Sequence, residues 1–158
     1  MRRNRARLLS TCISILLLVS FTVGAQEVHR CASEGKICRS GKGDHLVFYG
    51  SGNNWSVRTF KGPIACSNEV FGGDPTPGVV KACYVIPPLP APCGDEGRLC
   101  KAPKRQIFVY GANGLYVAKV VKGPVACTVP TFSVDPAPGM HKSCYLLPNL
   151  DFESATSQ

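Results

Sequence analysis

Ile107-Phe108-Val109-Tyr110, then Gly111-Ala112-Asn113-Gly114, then Tyr116 through Val121, is the stretch whose reading decides the fold. Two runs rich in β-branched and aromatic residues flank an Asn-Gly pair, the dipeptide that supplies positive φ to a tight hairpin turn. The stretch predicts a β-hairpin. The pattern also occurs upstream: Leu46-Val47-Phe48-Tyr49, then Gly50-Ser51-Gly52-Asn53-Asn54, then Trp55 through Phe60. A third short strand is expected around Ile64-Ala65-Cys66 and around Val125-Ala126-Cys127. A fourth is expected over Lys81 to Ile86 and over Lys142 to Leu147. No segment carries a helical apolar period of useful length, so the expected class is all-β.

The two hairpins belong to a longer repeat. Cys31 and Cys38 are separated by six residues and Cys66 and Cys83 by sixteen; Cys93, Cys100, Cys127 and Cys144 have the same spacings. Around them Glu34-Gly35 matches Glu96-Gly97, and Tyr49-Gly50 matches Tyr110-Gly111. Lys61-Gly62-Pro63 matches Lys122-Gly123-Pro124, Phe71 matches Phe132, and Asp74-Pro75 matches Asp135-Pro136. Lys81, Cys83 and Tyr84 match Lys142, Cys144 and Tyr145. Agreement over a whole unit marks an internal duplication. The chain therefore divides into two tandem small disulfide-rich β modules, 26–86 and 93–148, joined by the proline-rich linker 87–92. A polar tail, 149–158, follows. Four prolines in that linker favour a stiff extended segment that holds the modules apart or at a fixed angle.

Residues 1–25 read as a secretory signal. Arg2, Arg3, Arg5 and Arg7 precede an apolar run from Leu8 to Phe21, and the small residues Val23-Gly24-Ala25 fit a cleavage site. The run is shorter than the ~20 residues of a spanning helix, so no membrane span is expected in the mature chain and the expected location is secreted or periplasmic. Cys12 goes with the signal, which leaves eight cysteines. About fifty residues per copy is small for a self-sufficient apolar core, and disulfides are the usual remedy in oxidising compartments. Zinc is disfavoured because no Cys-x2-Cys pair occurs, and no cofactor motif is present. If each copy keeps its own bridges, nine pairings remain. Of these we choose Cys31–Cys38, Cys66–Cys83, Cys93–Cys100 and Cys127–Cys144. The first bridge of each copy closes a small loop, and the second braces the Asp-Pro loop. Beyond residue 25 there are fourteen Lys+Arg and ten Asp+Glu, a net +4 against +8 for the whole chain. That charge carries no clustered basic face, and no nucleic-acid partner is expected.

Tyr-Gly-Ala-Asn-Gly at 110–114, Phe71-Gly72-Gly73-Asp74-Pro75 with Pro77-Gly78, and the Lys-x-Cys endings at Cys83 and Cys144 resemble a small four-cysteine repeat of bacterial secreted proteins. In that setting the repeat looks like an accessory module attached to extracellular, often carbohydrate-active, enzymes. The resemblance covers most of the mature chain and implies a non-catalytic binding or adhesion role; the chain departs from that setting in that no enzyme domain is expected within it.

An enzyme is not expected. His29, His45 and His141 have no histidine counterpart in the other copy, and no nucleophile–base constellation is recognisable. For a binding protein the ligand class expected is an extracellular polysaccharide or glycan. Trp55 and Tyr116 occupy equivalent positions at the start of the second hairpin strand and are candidate stacking rings. Asn53 and Asn113 lie in the adjoining turns. Arg58 pairs with Lys119 and Asp74 with Asp135 as candidate hydrogen-bonding groups. Two readings stand against these. Trp55, Val57 and Thr59 share one strand face by period two, which suits a core. Asp before Pro caps local amides, which suits loop shaping. A structural or protein-binding module, such as a protease inhibitor or secreted effector, is the alternative function.

Overall fold

A computed structural model describes residues 28–147. The signal segment 1–25 and the tail 149–158 lie outside these described residues. The fold is all-β: the strands are β1 His29–Ser33, β2 Ile37–Cys38, β3 Asp44–Ser51, β4 Asn54–Lys61, β5 Ile64–Ala65, β6 Ala82–Ile86, β7 Gly94–Asp95, β8 Leu99–Ala112, β9 Leu115–Ala126 and β10 Ser143–Leu147. Two one-turn helices, α1 Asn68–Phe71 and α2 Val129–Phe132, precede the Asp-Pro loops. They are too short to show an apolar period. Among the described residues no helix is long and apolar enough to cross a membrane.

Both hairpins form. β3 pairs with β4, with Phe48 opposite Val57, and β8 pairs with β9, with Val109 opposite Ala118. The turn residues Asn113 (φ 49°) and Gly114 (φ 80°) take the left-handed conformations that a tight hairpin turn requires. β6 and β10 line β3 and β8 on their outer sides. β1 and β7 complete the two edges. The copies differ where copy 1 has Gly41 (φ 90°) and Gly43 (φ 96°). There the ladder breaks, and β2 and β5 form a separate two-stranded sheet. Copy 2 runs through as the long β8–β9 ribbon with an irregularity between Ala102 and Gln106.

The copies are not held apart. β4 pairs antiparallel with β9, giving one eight-stranded sheet in the order β1-β6-β3-β4-β9-β8-β10-β7. Ser56 and Val117 are 61 residues apart, as Cys66 and Cys127 are, and they face one another directly. Arg58 faces Leu115 and Asn54 faces Lys119. Each of these pairs is carried into the other when the copies are exchanged. The register therefore places a pseudo-twofold axis between Ser56 and Val117, the geometry of an isologous contact within a single chain. Backbone bonds from Val120 to Asn53 (3.2 Å) and from Thr59 to Gly114 (3.0 Å), also an equivalent pair, extend the seam.

Strand alternation sorts the core into three clusters. One face of the sheet carries Leu46, Phe48, Trp55, Val57, Tyr84 and Ile86 from copy 1 together with Ile107, Val109, Ala118 and Leu147 from copy 2, in a single buried cluster. Leu89, in the proline-rich segment, also packs against it. The opposite face carries two separate clusters, one per copy. Tyr49, Phe71, Cys66 and Cys83 anchor the first, and Tyr110, Phe132, Cys127 and Cys144 the second. The bridges are Cys31–Cys38, Cys66–Cys83, Cys93–Cys100 and Cys127–Cys144, all within copies. They are compatible with an oxidising environment.

Candidate functional site

On the face opposite the shared core, the two satellite clusters stand on either side of the pseudo-twofold axis. Between them lies a groove of about 470 Å³. Its floor is the seam of the sheet, with Asn54, Ser56 and Arg58 from β4 and Val117 and Lys119 from β9. Its walls are the equivalent segments Phe71–Pro75 and Phe132–Pro136. Each wall leaves its one-turn helix through a left-handed residue, Gly72 (φ 77°) or Ser133 (φ 64°). In copy 1 that residue must be small: a Cβ on Gly72 would lie 2.8 Å from Nη2 of Arg58.

The two cations of the floor are held in matching ways. The Arg58 guanidinium donates to the carbonyl of Phe71 at 3.1 Å, and Lys119 Nζ donates to the carbonyl of Thr131 at 3.1 Å. Burial lowers the arginine below its usual value. Neither cation has a carboxylate within 4 Å among the described residues.

The wall carboxylates are differently placed. Asp74 accepts from the Thr76 amide at 2.9 Å and lies 3.2 Å from Lys81 Nζ. Lys81 is only 4% exposed; it also meets Glu34 at 3.1 Å and donates to the Val79 carbonyl at 2.9 Å. Tyr49 donates its hydroxyl to Glu34 at 2.8 Å. Copy 2 repeats the knot. Lys142 lies 3.4 Å from both Glu96 and Asp135, Asp135 accepts from the Ala137 amide at 3.0 Å, and the Tyr110 hydroxyl donates to Glu96. The backbone amide of Lys81, then the Tyr49 hydroxyl and the lysine itself, lower Glu34 below the usual carboxylate value. The Tyr110 hydroxyl does most of the same for Glu96. Burial opposes the charge on Lys81, but its bonds to Glu34 and Asp74 outweigh that and raise it. Burial, then the carboxylate beside them, raises Tyr49 and Tyr110.

The eight residues expected to bind ligand therefore separate into three groups. Arg58, Lys119, Asp74 and Asp135 line one groove. Asn53 and Asn113 stand at exposed turns outside it; Asn53 accepts from Arg105 at 3.0 Å, and Asn113 donates to the Met140 sulfur at 3.3 Å. Trp55 and Tyr116 belong to the shared core on the other face. Trp55 is 3% exposed, and its ring meets Phe48 and Tyr84. Tyr116 is half-buried with its ring edge-on to Tyr145. Trp55 sits with Val57 on the buried face, as the period-two reading expected, and it also borders the groove at the seam. Asp74 and Asp135 cap the amides two residues on, as the loop-shaping reading had it. Asn54 was expected only as a turn amide beside Asn53, and Ser56 was missed as a floor residue. Their signal was alternation: they occupy the face of β4 that Trp55 and Val57 do not.

Among the described residues no group of three or more His, Cys, Asp or Glu side chains is placed to hold a metal ion. No family model, curated protein or solved structure matches the chain.

Proposed function

We propose that the chain is an exported, non-catalytic binding protein for extracellular carbohydrate, and that its ligand lies in the groove across the pseudo-twofold axis. The observation that carries this reading is the groove itself. Its volume suits a small-molecule or oligosaccharide segment. Its floor offers an amide, a hydroxyl and two cationic donors, groups that match sugar hydroxyls. Two of the acids beside it are tied to buried lysines, and none of the three histidines lines it, so it presents no nucleophile–base pair. The hairpin turns are a poorer choice, because the aromatic rings beside them face the core. One shared site also replaces two separate sites acting by avidity.

The test is a glycan array probed with the wild-type protein and with Ser56→Phe, which places a ring on the groove floor. Ser56 is half-buried and points away from the shared core, so the fold should melt within a few degrees of wild type. Binding by the wild type that Ser56→Phe abolishes supports the proposal. Absence of binding to every glycan, with recovery of one protein partner from culture medium, replaces it with the protein-binding alternative.

A further inference from the structure

We infer that the groove is an anion receptor, selecting an acidic glycan that carries carboxylate or sulfate groups on successive units and lies across the pseudo-twofold axis with one anionic group at Arg58 and another at Lys119. This rests on the carbohydrate reading above and narrows it to one ligand class.

The asymmetry between the acids and the bases of the groove is what supports it. Both acids that line the groove are committed to partners: Asp74 to Lys81 and Thr76, Asp135 to Lys142 and Ala137. Glu34 and Glu96, the remaining acids of the two knots, do not line it. The bases have no such partner. Arg58 and Lys119 meet only backbone carbonyls, and a carbonyl dipole does not neutralise a cation. Arg58 is half-buried as well. A cation withdrawn from water without a counter-charge is costly, and an anionic ligand group offsets that cost. Beyond residue 25 the net charge is +4, which adds a modest long-range preference for an anion.

The placement of the cations sets the shape of the ligand. Arg58 faces Leu115, and Lys119 faces Asn54. The two therefore stand four residues apart along the seam, roughly 13 Å by strand rise, on opposite sides of the axis. A single small anion reaches one of them; a chain with repeated anionic groups reaches both. Because the axis relates the two cations, such a chain meets a cation at each end whichever way it runs.

The test uses the full mature chain and measures binding by calorimetry to an oligogalacturonate, to its fully methyl-esterified neutral form, to a sulfated dextran oligomer and to neutral dextran. The acidic oligomers are expected to bind and to weaken as salt is raised, while the two neutral ones bind at least tenfold more weakly. Carboxylate and sulfate arms distinguish the two sources of charge. Arg58→Gln and Lys119→Gln are each expected to lower the affinity for the acidic oligomers about tenfold. Lys119→Arg is expected to restore most of it, and thermal melting checks that every variant is folded. Equal binding of the esterified and free oligomers, abolished by Ser56→Phe, overturns the charge inference and leaves the carbohydrate site standing. Undiminished acidic binding by a folded Arg58→Gln/Lys119→Gln double variant overturns it too. Silence from all four oligomers removes the carbohydrate reading itself. Tighter binding of a poly-glutamate peptide of equal charge than of either acidic oligomer assigns the groove to acidic protein segments instead.

Discussion

Two glycines show how single residues set the shared core. Gly50 lies opposite Trp55, and Gly111 lies opposite Tyr116. A Cβ on Gly50 would stand 3.0 Å from the Trp55 ring, and one on Gly111 would stand 2.7 Å from the Tyr116 ring. Each aromatic side chain thus lies against the bare backbone of its cross-strand partner, beside a backbone carbonyl (of Asn54 or Leu115) that comes closer still. The repeated Tyr-Gly dipeptide now has a physical reading: the tyrosine anchors a satellite cluster on one face, and the glycine admits a ring on the other. Unequal burial of the two rings leads to an unequal cost of removing them. Trp55→Ala should cost about 3–5 kcal/mol of unfolding free energy, the range for a large buried aromatic. Tyr116→Ala should cost clearly less, because its ring is half-buried. Chemical denaturation of both variants checks the order. Equal and negligible losses would mean that both rings are exposed, which would return them to the ligand-binding surface.

At the scale of elements, the lysine knots join parts that are distant in sequence. Lys81 immediately precedes β6. Its partners are Glu34, after β1, and Asp74, in the groove wall, while Tyr49 of β3 holds Glu34 from the side. The knot therefore fixes the wall to the sheet. Its pH dependence follows from the carboxylates. Glu34 and Glu96 are lowered in the folded chain, so the folded state holds their protons more weakly than the unfolded state. Their contribution to stability is complete above the ordinary carboxylate pKa, about 4.3, and is lost as pH falls through the lowered folded values. The melting temperature should consequently decline as pH is taken below about 4, and Glu34→Gln/Glu96→Gln should flatten that decline. Melting curves from pH 7 down to pH 2 provide the measurement. An unchanged acid slope in the double variant would show that other carboxylates govern it.

These elements were unevenly legible in the sequence. The hairpins announced themselves through period and turn chemistry, since Asn113-Gly114 leaves few alternatives to a tight turn. The repeated spacing confined the bridges to the copies and left nine pairings; the choice among them rested on a small first loop and a braced Asp-Pro loop. The aspartates before proline were readable as caps because the side chain acts on an amide two residues away, a local event. What was hidden was non-local. Nothing within β4 states that its free edge pairs with β9, since backbone hydrogen bonding is available to any strand. The available clue was a shortage: Trp55 and Val57 on one face of β4, and Tyr116 and Ala118 on one face of β9, need cover that a copy of about fifty residues has little material to supply. The groove was hidden with the seam, because it exists only when both copies are in place.

At the scale of the whole fold, the described residues join two related halves in one eight-stranded sheet, with the small β2–β5 sheet beside it, and this joining has a mechanical consequence. An isolated four-stranded copy would expose the edge of β4, with its unpaired amides and carbonyls, and would open one side of the core to water. Pairing β4 with β9 removes both liabilities at once, and the pseudo-twofold register lets identical faults correct one another. The proline-rich segment then serves as a strap, with Leu89 seated on the shared core, more than as a spacer. Cutting that strap should not release the halves. With a protease site inserted between Pro90 and Pro92, cleavage under oxidising, non-denaturing conditions should yield two fragments that co-elute at the position of the intact chain in size exclusion and separate only in denaturant. The four bridges lie within copies, so no covalent bond would hold the fragments together. The association would be that of the seam and core alone, and it should be concentration-dependent where the intact chain is not. Trp55→Ala in the cleaved protein should then favour separation, since it removes the side chain that touches the seam and the shared core together. Fragments that part on cleavage, each remaining compact, would show instead that the copies are self-sufficient and that the seam contributes little.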